Sequence, residues 1–318
     1  MPTAHHDTMG RGATDSRRVG RRRFLQVAAT TGAVLGAIGT ASATPARSNG
    51  KAVGFPPAGT TEWSDPVTLG DGEAKTFTTV TPSGTPKYHG LYLERDALDG
   101  LPSAADLADD ADSYTDKYGA TGEALEIHHK WSLEFFVPFP ATDATPFTFL
   151  GLNWNPDGHP PDPVWGVPHF DIHFHMLPTA TVDAITGPAA PTYSLPEEYI
   201  PEGYARGPVV DERVITDMGE HMAPGSAPEL NGGTFTNTLI WGAYDPDGDE
   251  TAELTFVEPM ITRAYLRDHR GVDRRAIPHP ETHATAGTYP TTYSVRDVPS
   301  DDAIAVVVQA FEDFEGDD

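Results

Sequence analysis

The chain has 318 residues, with 47 Asp and Glu against 21 Lys and Arg, a formal charge of −26, and no cysteine. Disulfides, Cys-ligated zinc or iron–sulfur centres and a Cys nucleophile are thereby excluded, and nucleic-acid binding, which draws its affinity from clustered Lys and Arg, is disfavoured. With 31 glycines and 30 prolines the sequence does not suit a coiled coil or a helical bundle, while 38% hydrophobic content is enough to bury a substantial core.

Taken in chain order, the first feature is an export signal over residues 1–43. Arg17-Arg18-Val19-Gly20-Arg21-Arg22-Arg23-Phe24-Leu25 is followed by a weakly apolar run, Val27 to Ile38, and by Ala41-Ser42-Ala43. This is the basic, apolar and small-x-small order of a cleaved signal. Arg21-Arg22-x-Phe24-Leu25 fits the twin-arginine consensus. The apolar run is far shorter than the roughly 20 residues a spanning helix takes, so the expectation is an extracytoplasmic, secreted protein with no membrane span once the signal is removed. Removal takes six cations and two carboxylates with it and leaves 15 cations against 45 anions, net −30. Such a surplus repels itself unless salt screens it, the Debye length falling to about 3 Å at 1 M. The acidity therefore points to a halophilic setting.

Residues 44–65 are rich in Pro, Gly, Thr and Ser and read as a flexible leader, 66–311 as a single β-rich domain, and 312–318 as an acidic tail. Val67 to Val80 predicts a hairpin turning at Asp71-Gly72. Further strands are predicted over Pro86–Leu93, Leu125–Phe139, Phe147–Trp154, His169–Leu177, Thr234–Tyr244, Leu254–Val257 and 302–311, with an acidic surface loop at 102–120. Helical stretches are short, around 179–186, 195–200 and 258–268. Many short strands among abundant Pro and Gly predict a mainly β fold, a β-sandwich or partly open barrel with a few short helices.

The segment richest in chemistry is Pro168-His169-Phe170-Asp171-Ile172-His173-Phe174-His175-Met176. Successive side chains of a strand face opposite ways. Phe170, Ile172, Phe174 and Met176 then share one face, and His169, Asp171, His173 and His175 share the other. Neighbours on a face sit about 6.5–7 Å apart, close enough for two rings to meet one ion at the roughly 2.1 Å of a Zn–N bond. His173 with His175, and His169 with Asp171, are the natural pairs. His169 and His175 are about 20 Å apart, so all four do not share one ion. Further ligands must come from elsewhere, and the candidates are His159, His221 and Glu258. Against this stands the ordinary reading of histidines as amphipathic residues on a half-exposed strand. Imidazole and carboxylate without thiolate suit a divalent ion such as Zn, Mn, Fe, Cu or Ni.

Other patterns are weaker. Asp245-Pro246-Asp247-Gly248-Asp249-Glu250 is oxygen-rich but lacks the full spacing and closing Glu of an EF-hand, and a hairpin turn is the simpler expectation. His128-His129 flank an aromatic run and suggest a hydrogen-bonded core residue. No G-x-S-x-G elbow, P-loop or dinucleotide fingerprint occurs.

The blocks Trp154-Asn155-Pro156-x-Gly158-His159-x-Pro161, Pro168-His169-Phe170-Asp171-x-His173-Phe174, Met218-Gly219-x-His221, Phe235-Thr236-x-Thr238-Leu239-Ile240-Trp241-Gly242 and Glu258-Pro259-Met260-Ile261-Thr262 resemble, in the same order, the TTHB210-like family (DUF5602), a domain of unknown function. The resemblance covers roughly residues 60–270 and fades over 102–120 and after about 275. It implies an exported, β-rich, oligomer-forming protein and implies no particular reaction. Two functions follow as expectations. One is an exported divalent-metal-binding protein, a metalloenzyme if Asp171, Glu220 or Glu258 serves as a base. The other is a non-catalytic oligomeric or envelope-associated protein whose histidines only stabilise it.

Overall fold

Period-two patterning runs through most of the chain. In Ala303–Phe314, for example, Ile304, Val306 and Val308 point one way and Ala303, Ala305 and Val307 the other, and all six are buried. The structure, a computed structural model, describes residues 54–109, 132–140, 144–161 and 163–317. The export signal, residues 44–53 of the leader, most of the 102–120 loop and His128-His129 lie outside the described residues.

The strands are β1 (Thr61–Trp63), β2 (Val67–Leu69), β3 (Gly72–Val80), β4 (Pro86–Glu94), β5 (Leu133–Pro138), β6 (Phe149–Asn155), β7 (His169–His175), β8 (Tyr204–Arg206), β9 (Val214–Ile215), β10 (Gly219–Pro224), β11 (Asn237–Tyr244), β12 (Glu253–Thr262), β13 (Val272–Ala276), β14 (Gly287–Val298) and β15 (Ala303–Phe314). They form two antiparallel sheets. One runs β1-β3-β4-β15-β14-β13 with β2 on β3, and the other runs β5-β6-β7-β12-β11-β10-β8 with β9 on β10. The fold is thus mainly β, with no closed barrel. The helices α1 (Ala104–Asp109), α2 (Thr179–Val182) and α3 (Arg263–Asp268) are short, and none among the described residues is long and apolar enough to cross a membrane.

The core lies between the sheets. Leu91, Leu93, Ile304, Val306 and Val308 of the first share one cluster with Leu150, Leu152, Phe170, Ile172, Phe174, Val257 and Ile261 of the second. The apolar half of β7 is therefore spent on the core, and its polar half lies on the opposite side of the second sheet. That side is not open to water. Met218, Phe235 and partly buried Trp165 pack there against Ile240, Phe256 and Met260, so the connecting segments around 165, 218 and 235 roof the outer face.

Several expectations shift. The first hairpin turns at Gly70-Asp71, since Leu69 pairs with Gly72. Gly70 has φ +55°, and a Cβ there would lie 2.1 Å from the Asp99 carbonyl oxygen. The helix expected over 258–268 begins only at Arg263, where Thr262 caps it by accepting from the Tyr265 N–H; residues 258–262 belong to β12. The expected helix at 195–200 is a single 3-10 turn, Glu197–Tyr199, and that at 179–186 is confined to α2. The leader is structured at its end, Trp63 pairing with Phe77. The tail is tied down by β15 running to Phe314, by a His283–Gly316 bridge, and by the Tyr199 hydroxyl donating to Asp317. The β13–β14 pair is hidden in the sequence because its β13 half, Val-Asp-Arg-Arg-Ala, is half exposed and highly charged.

Candidate metal centre

β6, β7 and β12 lie side by side. On β6 the register sets Asn155 opposite His169, Asn153 opposite Asp171, Gly151 opposite His173 and Phe149 opposite His175. On β12 it sets Thr262 opposite His169, Met260 opposite Asp171 and Phe256 opposite His175. Between the last two the paired register passes over Glu258 and Pro259; proline has no N–H to give to a ladder. Continuing the count across this gap sets Glu258 opposite His173.

Two His/carboxylate clusters result. In the first, His169 Nε2 lies 3.0 Å from Asp171 Oδ1 and His159 Nε2 lies 3.5 Å from Asp171 Oδ2. The Asn155 amide donates to Asp171 Oδ2 at 2.8 Å. His159 comes from the loop after β6, which doubles back at Gly158. That residue has φ +73°, and a Cβ on it would sit 2.0 Å from the Trp165 carbonyl oxygen. In the second cluster, His173 Nε2 and His221 Nε2, the latter on β10, each lie 3.5 Å from Glu258 Oε2. Within each trio the ligand atoms fall within 4.8 Å of one another.

The first cluster's two rings are each fixed through Nδ1. His169 Nδ1 donates to the Val167 carbonyl at 2.7 Å, and His159 Nδ1 donates to the Pro160 carbonyl at 2.9 Å. A carbonyl oxygen only accepts, so each Nδ1 carries the hydrogen, and in the neutral ring each Nε2 turns a lone pair toward Asp171. His169 Nε2 and Asp171 Oδ1 are buried and, though close, make no hydrogen bond. Two acceptors held face to face away from water are costly; an ion or a proton between them removes the conflict, and a backbone-locked Nδ1–H is how metal-binding histidines are usually oriented.

Electrostatics separates the clusters. Burial opposes charge on the Asp171 carboxyl, but His169 and His159 outweigh it and hold that group well below the usual carboxylate range. Burial also lowers the His159 imidazole, and the neighbouring Asp171 carboxylate reverses this and raises it overall. In the second cluster burial dominates. It pushes the His221 imidazole down to about 4 and, joined by the Asp171 charge, lifts the Glu258 carboxyl well above its ordinary range. Without an ion, Glu258 is held as the neutral acid. A folded-state value raised above the unfolded 4.5 contributes stability below that value and loses it as pH rises. In chelator, Glu258→Gln is therefore expected to melt at or above the wild type near pH 7, the two converging toward pH 4.5. A wild type that melts clearly higher than Glu258→Gln at pH 7 would contradict this.

His175 joins neither cluster. Its ring stacks on Phe149 at 4.5 Å and lies 5.4 Å from His173, nearly parallel to it. Gly151 leaves it room, since a Cβ at 151 would come within 3.0 Å of His175 Nε2. The expected His173–His175 pair is thus replaced by a pairing of His173 with two residues of other strands. Glu220, considered as a base, is held by Arg206 in a two-pronged ion pair at 2.6 and 2.9 Å. Asp245, Asp247 and Asp249 form a hairpin turn, with Asp245 accepting from the Gly248 and Glu250 N–H groups. Asn155 was missed as a site residue, and only its place across from His169 on β6 marks it.

Comparison with family models, with curated proteins and with solved structures returned no match. The site's buried His, Asp and Glu groups could hold a metal ion.

Proposed function

We propose that this is an exported, salt-adapted protein that binds divalent metal, one ion at His159, His169 and Asp171 and another at His173, His221 and Glu258. The observation that carries the reading is the first cluster's pair of imidazoles, each fixed through Nδ1 to a backbone carbonyl and each presenting Nε2 to one buried carboxylate. Both trios have the two-His, one-carboxylate composition that leaves coordination positions to water or substrate. A bound ion would act there as a Lewis acid or lower the pKa of a water. The chain's residues set the access. His159 and His221 are the entry points, their side chains 12% and 24% exposed, whereas His169 and His173 are fully shielded. The twin-arginine-like signal and the acidic composition support export into a salty medium, and the TTHB210-like sequence blocks support an extracytoplasmic oligomer.

Metal analysis of protein purified in molar salt tests this, with up to two ions per chain expected. Because His159 is drawn toward its protonated form by Asp171, protons compete with the ion, and ions should leave the first cluster as pH falls through the imidazole range. Metal-free protein, or affinity for added divalent ions that is flat from pH 8 to 5, would refute it. The deep burial of His169, Asp171, His173 and Glu258 favours a second reading, a structural role with no turnover. In that case chelation lowers the melting temperature or dissociates an oligomer while no hydrolytic or oxidative activity is found in the loaded protein.

A further inference from the structure

Beside the first cluster lies a groove of about 800 Å³, lined by Val167, Pro168, Phe235, Thr262 and, apart from buried Leu266, the residues from Arg263 to Arg270. It adjoins the cluster directly. Val167 and Pro168 lead into His169, Thr262 is paired with His169, and the Phe235 ring stands 5.2 Å from the His169 ring. What sets it apart is charge. In a chain of −26, five of the 21 cations fall between positions 263 and 275, and three of them, Arg263, Arg267 and Arg270, line the groove with Asp268 as the one acid among its lining residues.

These arginines are incompletely neutralised. Arg263 donates through Nε to the Leu98 carbonyl at 2.6 Å and shares the Asp99 carboxylate with Arg267. Arg270 donates to the backbone carbonyls of Arg267 and His269 and has no carboxylate partner among the described residues. On the same lining, His269 Nε2 is shielded from water and makes no hydrogen bond. A lining that joins apolar side chains to arginines matches a molecule that has both an apolar body and an anionic head, because a guanidinium fork takes up a carboxylate or phosphate through paired hydrogen bonds. Short-range contacts of this kind persist in brine that screens longer-range attraction.

We propose that the groove binds a small organic anion, its apolar body on Val167, Pro168 and Phe235 and its carboxylate or phosphate on Arg267 and Arg270. That it serves as the substrate of the adjoining centre rests on the metal reading; the binding itself does not. Calorimetric titration of the full chain in molar potassium chloride, with benzoate, phenyl phosphate and uncharged benzamide as probes, tests the binding. Either anion should bind at least about tenfold more tightly than benzamide, and Arg267→Gln with Arg270→Gln should erase that advantage. Ala264→Trp, at an exposed lining position, should block the groove without altering charge. Benzoate stronger than phenyl phosphate assigns a carboxylate head, and the reverse assigns a phosphate. Anions that bind no better than benzamide, or a double Gln variant that binds them like the wild type, overturn the proposal. Metal content measured on the same samples separates the two readings: anion binding in metal-free protein upholds the groove and removes the centre, whereas metal-loaded wild type that ignores both anions removes the groove.

Discussion

Replacing Asp171 with asparagine is expected to remove one bound ion per chain and to leave the ion at His173, His221 and Glu258 in place. Asp171 is the only carboxylate of the first cluster and touches both of its imidazoles. Asparagine keeps the size and can still meet the Asn155 amide through its carbonyl oxygen, so the strand need not rearrange. The variant loses the negative charge that offsets the ion and, in the ion-free protein, the partner of the His159 imidazole. The drop in affinity should exceed the roughly 10–100-fold that follows loss of a group merely supporting a ligand. Elemental analysis after gel filtration in molar salt reads the stoichiometry. An Asp171→Asn protein that carries as much metal as the wild type would show that this cluster is an ion pair built only from protein groups.

Phe174→Ala, three residues along the same strand, is expected to do the converse, costing about 3–5 kcal/mol of stability while leaving the metal content unchanged. Phe174 is fully buried, stacked on Phe139 at 5.7 Å and edge-on to Phe147 at 5.9 Å. Its removal opens a cavity between the sheets that rigid neighbouring strands close poorly. Denaturant unfolding at fixed salt measures the loss. A cost below about 1 kcal/mol would mean that this face of β7 is not clamped between the two sheets.

These opposed outcomes trace to a pattern already visible in the residues. Four ionisable side chains alternating with four apolar ones fix the strand and both of its faces, because a pleated chain has no other way to sort them. The sandwich is similarly legible in the short, Pro- and Gly-punctuated strands. The grouping of ligands is legible only in part: His169 with Asp171 can be read along β7, whereas the other partners depend on which strands lie across the sheet and in what register, and that is a non-local property. Neighbours along β7 suggest His173 with His175, yet the flanking β12 supplies Glu258 to one ring, β10, two strands beyond β12, supplies His221 to the same ring, and β6 supplies Phe149 to the other. Glu258 is hard to place because Pro259 follows it and the helix-forming run Arg263–Asp268 lies close by, so a strand reaching Thr262 reads as the start of a helix. β13 is short, half exposed and highly charged, and β10 is a six-residue strand of mixed composition, so neither has enough hydrophobic contrast to show a period.

Gly158 offers no ligand atom, yet its tight bend would set how many donors the first cluster presents to an ion. Any larger residue there would collide with the backbone at Trp165, the bend would open, and His159 would swing off the sheet, reducing three donors to His169 and Asp171 alone. A bidentate remnant of that kind would let a divalent ion go readily, so on the proposed reading a position without a side chain would govern how long an ion stays.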